Sequence, residues 1–427
     1  MTRTADHPEW GDLPGRVRVS IVTKGHGARV FVCCFLFRFP PAVHRSSRFV
    51  TLTPVKVAIV AESFLPRVNG VTNSVCRVLE HLDARGHEAL LVAPAPGPDS
   101  YAGTPVELVP GLSLPVYKSF VVGIPGRRVE HALRAFQPDV VHLASPVVLG
   151  AAGATAAKRL GIPSVAVFQT DIAGFFRGYG FRGTDAVLWS WLRHVHAKAD
   201  RTLAPSRPTL QELEERDFPR LALWGRGVDQ DGFHPDHRCA DTRAALAPNG
   251  EILVGYMGRL APEKQVELLS ALDGLPGVRV VVIGDGPAEE SLRKLLPEAV
   301  FTGFQSGPDL ARLLACLDIF VHTGANETFC QALQEALASG LPAVAPAAGG
   351  PLDLVRPGVN GLLFKPSDGM ALRAAVASLA ADAPTRERMG RAARNSVRAN
   401  TWEAVCDRLL GHYSEVIYGT GADRAVA

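Results

Sequence analysis

The chain has 427 residues, 47% hydrophobic and 20% charged, a mixture that excludes intrinsic disorder and predicts two α/β domains of about 100–200 residues each. Its formal net charge of +3 lies wholly in residues 1–54, which carry eight basic and three acidic residues. The remainder has no basic excess, which argues against a nucleic-acid partner.

Residues 1–54 differ in composition from the rest and are predicted to form a disordered N-terminal extension. The apolar run at residues 30–37 has the length of a signal-peptide core, but Arg38 and two prolines follow it in place of a small-residue cleavage site. A signal peptide and a membrane-touching segment stay as alternatives. The seven cysteines form no CxxC pair, which favours a reduced, cytoplasmic protein.

Ordered structure is predicted from Val55 onward. Short apolar runs at residues 57–60, 89–93, 138–143 and 162–168 predict buried parallel strands. Helical spacing follows the first run, and Gly86 ends that helix; a helix of small residues extends to residue 157. This alternation predicts a parallel sheet covered on both faces, assigned to a first domain at residues 55–225.

The same pattern restarts after residue 225 and predicts a second domain at residues 226–400. Strands are predicted at 252–257, 278–283, 318–321 and 342–344, with one helix between the first two and another at 330–339. The fold class is therefore α/β, with two doubly wound, Rossmann-like domains facing each other across a cleft where ligands bind. A binding protein without catalytic activity has the same fold pattern.

Two cations follow the first strand of the second domain. Arg259 comes after Gly258, and Lys264 lies five residues further on, so both side chains can reach one diphosphate. No Asp-x-Asp motif follows a strand, so we expect fixed cations in place of a metal ion and no cofactor. The alternative is a pair of solvated cations that open a helix.

Two carboxylates belong to a later loop and helix. Glu327 in the loop can accept hydrogen bonds from sugar hydroxyls, and Glu335 in the helix can bind a ribose diol. The helix begins with free N–H groups that suit phosphate oxygens. The alternative, a surface or capping role, is disfavoured because the apolar helix predicts burial. The other donor-binding candidates of this loop are Asn326, Thr328, Phe329 and Cys330.

The first domain offers further candidates at its strand ends. Gly70 would let backbone N–H groups approach a phosphate or sugar, or is an ordinary turn glycine. Asp171 would orient the acceptor hydroxyl, or caps a helix. An aromatic and basic stretch at residues 175–191 predicts a flexible acceptor platform or a membrane-interface contact. The alternative is a packed helix pair, since Trp189 begins a helical spacing.

These motifs resemble the family-four retaining glycosyltransferases of the GT-B fold. The resemblance covers roughly residues 55–418 and is most specific at the Glu-x₇-Glu motif with the Arg/Lys pair upstream. The branch it is most similar to is that of GDP-mannose-dependent α-mannosyltransferases with lipid acceptors. The residues that carry the resemblance are Gly258 to Lys264, Glu327 to Glu335, Gly340 to Val344, Glu62 to Pro66, Asn69 to Val71, and Gln169 to Asp171.

The resemblance implies roles for these residues. Arg259 and Lys264 bind the donor diphosphate, Glu327 holds the donor sugar and Glu335 the ribose, while Gly70 lies against the diphosphate. The base lies near further second-domain residues, and a final helix within residues 401–427 crosses back to the first domain. The residues implied near the base are Gly284, Asp285, Gly303 and Phe304.

Two positions depart from the family pattern. Gln169 stands where many relatives carry a histidine that contacts the donor sugar, and glutamine cannot become charged. Cys330 replaces a frequent glycine, which predicts a less open loop. The expected partners are a nucleotide sugar, a lipid or glycan acceptor and, with a lipid acceptor, the inner face of the plasma membrane. Alternatives are a UDP-sugar donor with a soluble acceptor, a non-catalytic nucleotide-sugar-binding protein, and a phosphorylase or epimerase.

Overall fold

The computed structural model describes residues 54–114, 117–170 and 185–419. The predicted N-terminal extension, Asp171 and most of the aromatic stretch that begins at residue 175 lie outside the described residues. Every structural statement below concerns the described part of the chain.

The first sheet has eight strands, and all neighbouring pairs are parallel except the antiparallel pair at one edge. The strands of the first half are β1 (Lys56–Ala61), β2 (Glu88–Pro94), β3 (Ser100–Tyr101), β4 (Thr104–Val109), β5 (Gly111–Leu114), β6 (Tyr117–Gly123), β7 (Val140–Ala144), β8 (Ser164–Val167), β9 (Arg201–Ala204) and β10 (Leu221–Leu223). The spatial order in the sheet is β10-β9-β8-β7-β1-β2-β4-β3. Strands β5 and β6, which follow β4 in the chain, form a separate antiparallel hairpin.

Helices cover this sheet as the apolar spacing predicts. Asn69 caps the first helix by accepting the N–H of Thr72 at 2.9 Å, and Val75, Leu79 and Leu82 on its inner face are buried. The helices of the first half are α1 (Gly70–Ala84), α2 (Arg128–Phe136), α3 (Leu149–Leu160), α4 (Asp185–His196) and α5 (Arg207–Glu215).

The second sheet is wholly parallel, with six strands in the order β13-β12-β11-β14-β15-β16. Its central strands are almost wholly buried, which explains why they form nearly continuous apolar runs in the sequence. The strands are β11 (Ile252–Met257), β12 (Val278–Ile283), β13 (Val300–Gly303), β14 (Ile319–Val321), β15 (Ala343–Pro346) and β16 (Gly361–Phe364).

The prediction of an α-helix between β11 and β12 is wrong. Two 3₁₀ segments, Pro262–Lys264 and Val266–Leu272, occupy this connection. Gln265 between them has a left-handed backbone with φ of 50°, which an α-helix does not tolerate. The other helices of the second half are α6 (Ala240–Leu246), α7 (Glu289–Leu295), α8 (Gly307–Cys316), α9 (Gln331–Ala338), α10 (Pro351–Leu354), α11 (Gly369–Ala381) and α12 (Ala383–Val397).

The last helix, α13 (Trp402–Tyr418), packs on the first sheet although it follows the second in sequence. The buried Tyr413 hydroxyl lies 2.7 Å from Nδ1 of His142 on β7, and Trp224 donates its indole N–H to Val405 O at 3.0 Å. The helix thereby ties the end of the chain to the first half. The residue boundaries of the two domains stay predictions.

Candidate active site

The carboxyl edge of the second sheet brings Lys264 and Glu327 into contact. Lys264 ends the 3₁₀ segment after β11, and Glu327 lies in the loop between β14 and α9. The Lys264 Nζ lies 2.5 Å from Glu327 Oε1, and both groups are largely buried. Thr323, just after β14, donates its hydroxyl to Lys264 O at 2.7 Å and fixes the backbone there. Two motifs 63 residues apart in sequence thus form one ion pair.

His322 completes this cluster, and the sequence analysis missed it. Its Nε2 lies 3.2 Å from Glu327 Oε1, and its ring stacks on Tyr256 with centroids 6.3 Å apart. Burial alone would lower the pKa of His322, but the neighbouring Cys330 and Glu327 raise it to about 10. A signal was available, because His322 directly follows a buried strand that ends at the cleft.

The carboxylate of Glu327 is ionised between two cations. Burial alone would raise its pKa, but Lys264 and His322 outweigh burial and lower that pKa to about 2. At neutral pH the cluster therefore carries two positive charges and one negative charge. This net positive charge suits an anionic group such as a diphosphate.

Arg259 lies on the same connection as Lys264 and pairs with Glu263. Burial lowers the pKa of Arg259, and the charge of Glu263 opposes this shift. The buried Tyr256 donates its hydroxyl to Arg259 O at 3.2 Å, which holds the turn against β11. Both predicted cations therefore belong to one short, braced segment.

Glycines let the strand-end loops of the second half pack backbone against backbone. Gly284 has φ of 132°, and a Cβ there would lie 2.1 Å from Gly258 O. Gly303 bridges to Gly284 from the next strand. Asp285 is exposed, and the Phe304 ring is 56% exposed beside these loops. This leaves an open aromatic face, as a stacked base requires; the base-binding role itself stays a prediction.

The backbone of the Glu327 loop is held by close contact with Gly350. Gly350 N–H donates to Glu327 O at 2.7 Å, and a Cβ at Gly350 would lie only 2.1 Å from Phe329 O. Cys330 then enters α9 with φ of 80°, a left-handed conformation that favours glycine. This agrees with the glycine that the family resemblance implies at that position. Asn326, in the same loop, is exposed.

The other predicted carboxylate, Glu335, lies on the second turn of α9. Burial raises its pKa to about 7, although Gln331 and Arg77 lower it. The helix packs on the core through Leu333 and Leu337, both fully buried. A carboxyl group held in this environment stays poised between its neutral and charged forms at neutral pH.

The loop also contacts the first half across the cleft. Thr328 O accepts hydrogen bonds from Ser206 Oγ at 2.6 Å and Thr209 Oγ1 at 3.0 Å. The Thr328 hydroxyl in turn donates to Gln169 O at 3.1 Å. The Glu327 loop is therefore positioned by both halves of the molecule.

Gln169 presents a free amide N–H group. Its Oε1 accepts a hydrogen bond from the Arg226 guanidinium, whereas its Nε2 is buried without a described partner. Arg226, which the sequence analysis also missed, stacks on Trp224 at 4.7 Å from the ring centroid. Burial lowers the pKa of Arg226 to about 10, so it stays charged at neutral pH. Because Arg226 can only donate, it fixes the amide with nitrogen available to a ligand.

Gly70 and Glu62, two residues of the first half, differ in how far the structure accounts for them. A Cβ at Gly70 would meet open space, so nothing in the described chain requires glycine there, and its predicted role at the diphosphate stays untested. Glu62, part of the family-like motif after β1, is buried and accepts three backbone N–H groups, from Val147, Val148 and Gly150. Glu62 therefore caps the start of α3.

None of the described helices is long and apolar enough to cross a membrane. Helix α4 nevertheless exposes apolar side chains. Leu192 and Val195 on its inner face are buried, as the spacing predicts, whereas Val187 is 75% and Trp191 43% exposed. The packed-helix interpretation thus holds for one face of α4 only.

The fold and cluster define a class of protein. A sucrose-phosphate synthase from Thermosynechococcus elongatus has a similar structure, with a TM-score of 0.70 and 20% identity over 86% of this chain and all of that chain. An Anabaena protein whose structure was solved with UDP and glucose has a TM-score of 0.68 and 19% identity, over 84% of this chain and all of that chain. The models "Glycosyltransferase Family 4" and "Glycosyl transferases group 1" match residues 68–231 and 240–396. The predicted GT-B glycosyltransferase fold is confirmed.

Curated relatives narrow the class. A GDP-mannose-dependent alpha-mannosyltransferase of Mycolicibacterium smegmatis is 50% identical over 85% of this chain and 98% of its own length. The enzyme of the same name from Mycobacterium tuberculosis is also 50% identical, over 85% of this chain and 97% of its own length. The chain belongs to the family of GDP-mannose-dependent alpha-mannosyltransferases, which confirms the predicted hexosyltransferase class.

Proposed function

We propose that this chain transfers a mannosyl group from GDP-mannose to a lipid or glycan acceptor, with retention of the anomeric configuration. The observation that carries the proposal is the largely buried Glu327 carboxylate, held between Lys264 and His322 at the cleft edge of the second sheet. Family membership supports the donor, and resemblance to retaining enzymes supports the stereochemistry.

The second half would bind the donor. Lys264 and Arg259 would contact the diphosphate and stabilise the negative charge that develops on the leaving GDP. Glu327 would accept hydrogen bonds from mannose hydroxyls, and the ionised Glu335 would accept them from the ribose diol. Since these cations are fixed by the fold, we propose that the reaction needs no metal ion.

The first half would orient the sugar and the acceptor. The buried, unpartnered Nε2 of Gln169 would donate to a mannose hydroxyl, because its Oε1 is already occupied by Arg226. As the bond from mannose to phosphate breaks, the acceptor oxygen attacks from the same face. Its proton passes to the departing phosphate oxygen, so no nucleophilic side chain is required. The role of Asp171 at the acceptor stays a prediction.

A lipid acceptor would bring the chain to a membrane surface. The exposed Val187 and Trp191 on α4 support this, because Trp favours the interface between water and lipid. The five described cysteines are free thiols, which supports a reducing, cytoplasmic location for the reaction.

The test is incubation of the purified chain with radiolabelled GDP-mannose and a membrane extract, followed by identification of the labelled product. Transfer of mannose to a lipid-extractable product, with an α-linkage by NMR, is expected. Parallel incubations use UDP-glucose, and water-soluble glycans in place of the extract. Transfer from UDP-glucose alone would replace the donor, and binding of GDP-mannose without any transfer would identify a non-catalytic binding protein.

A further inference from the structure

Three side chains with metal-ligand chemistry meet at the Glu327 loop. The ligand atoms of His322, Glu327 and Cys330 all lie within 4.8 Å of one another. The residues are well shielded, with His322 2% and Cys330 5% exposed. Neighbouring ligands of a tetrahedral zinc ion lie about 3–4 Å apart, given bonds of about 2.0–2.3 Å, so small side-chain shifts would close such a site.

The imidazole of His322 provides a second observation. Its Nδ1 is buried and makes no hydrogen bond to a described residue, while its Nε2 lies 3.2 Å from Glu327 Oε1. Buried polar atoms without partners are rare, and an ion is one of their common explanations. A ring nitrogen beside a carboxylate and a thiol is suited to a metal ion.

Cys330 also occupies an unusual backbone position. Its φ of 80° is a left-handed conformation that strains a residue with a side chain, and glycine would avoid that strain. The fold keeps the thiol at the start of α9, facing the same cluster as His322. Mannose transfer as proposed above does not use the Cys330 thiol.

We propose that His322, Glu327 and Cys330 form an inhibitory site for a thiophilic divalent cation such as Zn²⁺. The set of one nitrogen, one oxygen and one sulfur ligand matches the preferences of Zn²⁺ and leaves a fourth position for water. Binding requires the thiolate and the neutral imidazole, so the protons of both groups are released to solvent.

The site is inhibitory because the cation and the donor need the same carboxylate. Lys264 Nζ lies 2.5 Å from Glu327 Oε1, so a divalent cation on Glu327 would repel this ammonium and displace it. The same cation would occupy the oxygen proposed to hold the mannose hydroxyls. Competition with GDP-mannose therefore rests on the proposed function, whereas metal binding does not.

The experiment titrates the donor-free full-length chain with Co²⁺, whose thiolate complexes give a charge-transfer band, and then displaces Co²⁺ with Zn²⁺. Cys330→Gly suits the left-handed backbone and should fold, and His322→Phe keeps a ring against Tyr256. Cys239→Ser, at a half-buried thiol outside the cluster, is the matched control. Since the chain has seven cysteines, the readout is the band that disappears with Cys330.

Wild type and Cys239→Ser should show one thiolate-bound metal equivalent that Cys330→Gly lacks. His322→Phe should bind it about tenfold more weakly or worse, since even an outer-shell partner is worth that much. Saturating GDP-mannose should weaken Zn²⁺ binding in wild type. A band that is absent, or that persists in Cys330→Gly, would overturn the site, and binding unaffected by GDP-mannose would overturn its inhibitory role. If the metal binds but no mannose is transferred, only the proposed function fails.

Discussion

The two walls of the cleft differ in charge and therefore in what they can do. The second-half wall concentrates ionised groups, with Lys264 and His322 both in contact with Glu327. The first-half wall presents neutral polar groups such as the Gln169 amide, oriented by a buried Arg226 behind it. The comparison supports the proposed roles, in which the second half would stabilise a charged leaving group and the first half would orient a neutral sugar.

Removing either member of the charged pair should have the largest effect. We expect Lys264→Ala and Glu327→Ala each to lower kcat by about 10²–10³-fold, because each removes a fixed charge aimed at the reacting donor. The measurement is the initial rate of mannose transfer, with circular dichroism to verify folding. Lys294→Ala breaks a comparable 2.8 Å pair with Glu290 on the surface and should leave the rate unchanged. Wild-type turnover in both cleft variants would refute the assignment.

The second-largest effect is expected from a change in the backbone that supports the second-half wall. In Gly350→Ala the new Cβ would meet Phe329 O at 2.1 Å, so the Glu327 loop must move. Since a misplacement of about 1 Å can cost about 100-fold, we expect kcat/KM to fall by about 10–100-fold. Gly411→Ala on α13, where a Cβ meets open space, is the control and should retain full activity. Equal activities of the two variants would mean that loop position is unimportant.

The neutral wall should respond more weakly. Arg226→Met removes the donor that orients Gln169, and we expect KM for GDP-mannose to rise about tenfold, as loss of one charged hydrogen bond allows. Because the two residues are in contact, the double variant with Gln169→Ala should be no worse than the poorer single variant. Steady-state kinetics of the four proteins provide the test. Additive losses would show that Arg226 acts independently of Gln169.

The smallest expected effect is a pH dependence. The pKa of Glu335 is raised to about 7, and only its charged form accepts hydrogen bonds from both ribose hydroxyls. GDP affinity should therefore rise as pH increases through about 7, by less than tenfold per pH unit. Calorimetric titration with GDP over a pH series measures this. The same series with Glu335→Gln removes the protein contribution and leaves only the titration of the phosphate; identical slopes would exclude a role for Glu335.

The charged wall was largely predictable from the sequence, and the neutral wall was not. Strands such as Ile252–Met257 and Val278–Ile283 are continuous apolar runs, so their ends and the polar residues after them could be located. Lys264 and Glu327 follow such ends, and parallel topology brings those ends together. Short or half-exposed strands such as β10 and β13 have no comparable pattern and were not predicted.

Side-chain pairing was the main feature beyond reach. Nothing in the sequence shows that Arg226, 57 residues after Gln169, fixes its amide. The 3₁₀ connection that contains Lys264 was predicted as a helix because apolar spacing does not reveal the left-handed Gln265. The left-handed backbone of Cys330 could be suspected only from the glycine that the family resemblance implies at this position. These features depend on backbone geometry that a pattern of residue types does not encode.

The most direct test of the central claim is a crystal structure of the chain with GDP-mannose bound. The account predicts a Lys264 Nζ contact to a diphosphate oxygen and a Glu327 contact to a mannose hydroxyl, with Gln169 Nε2 on the opposite side of the sugar. Donor bound elsewhere, with the Lys264–Glu327 pair untouched, would contradict it.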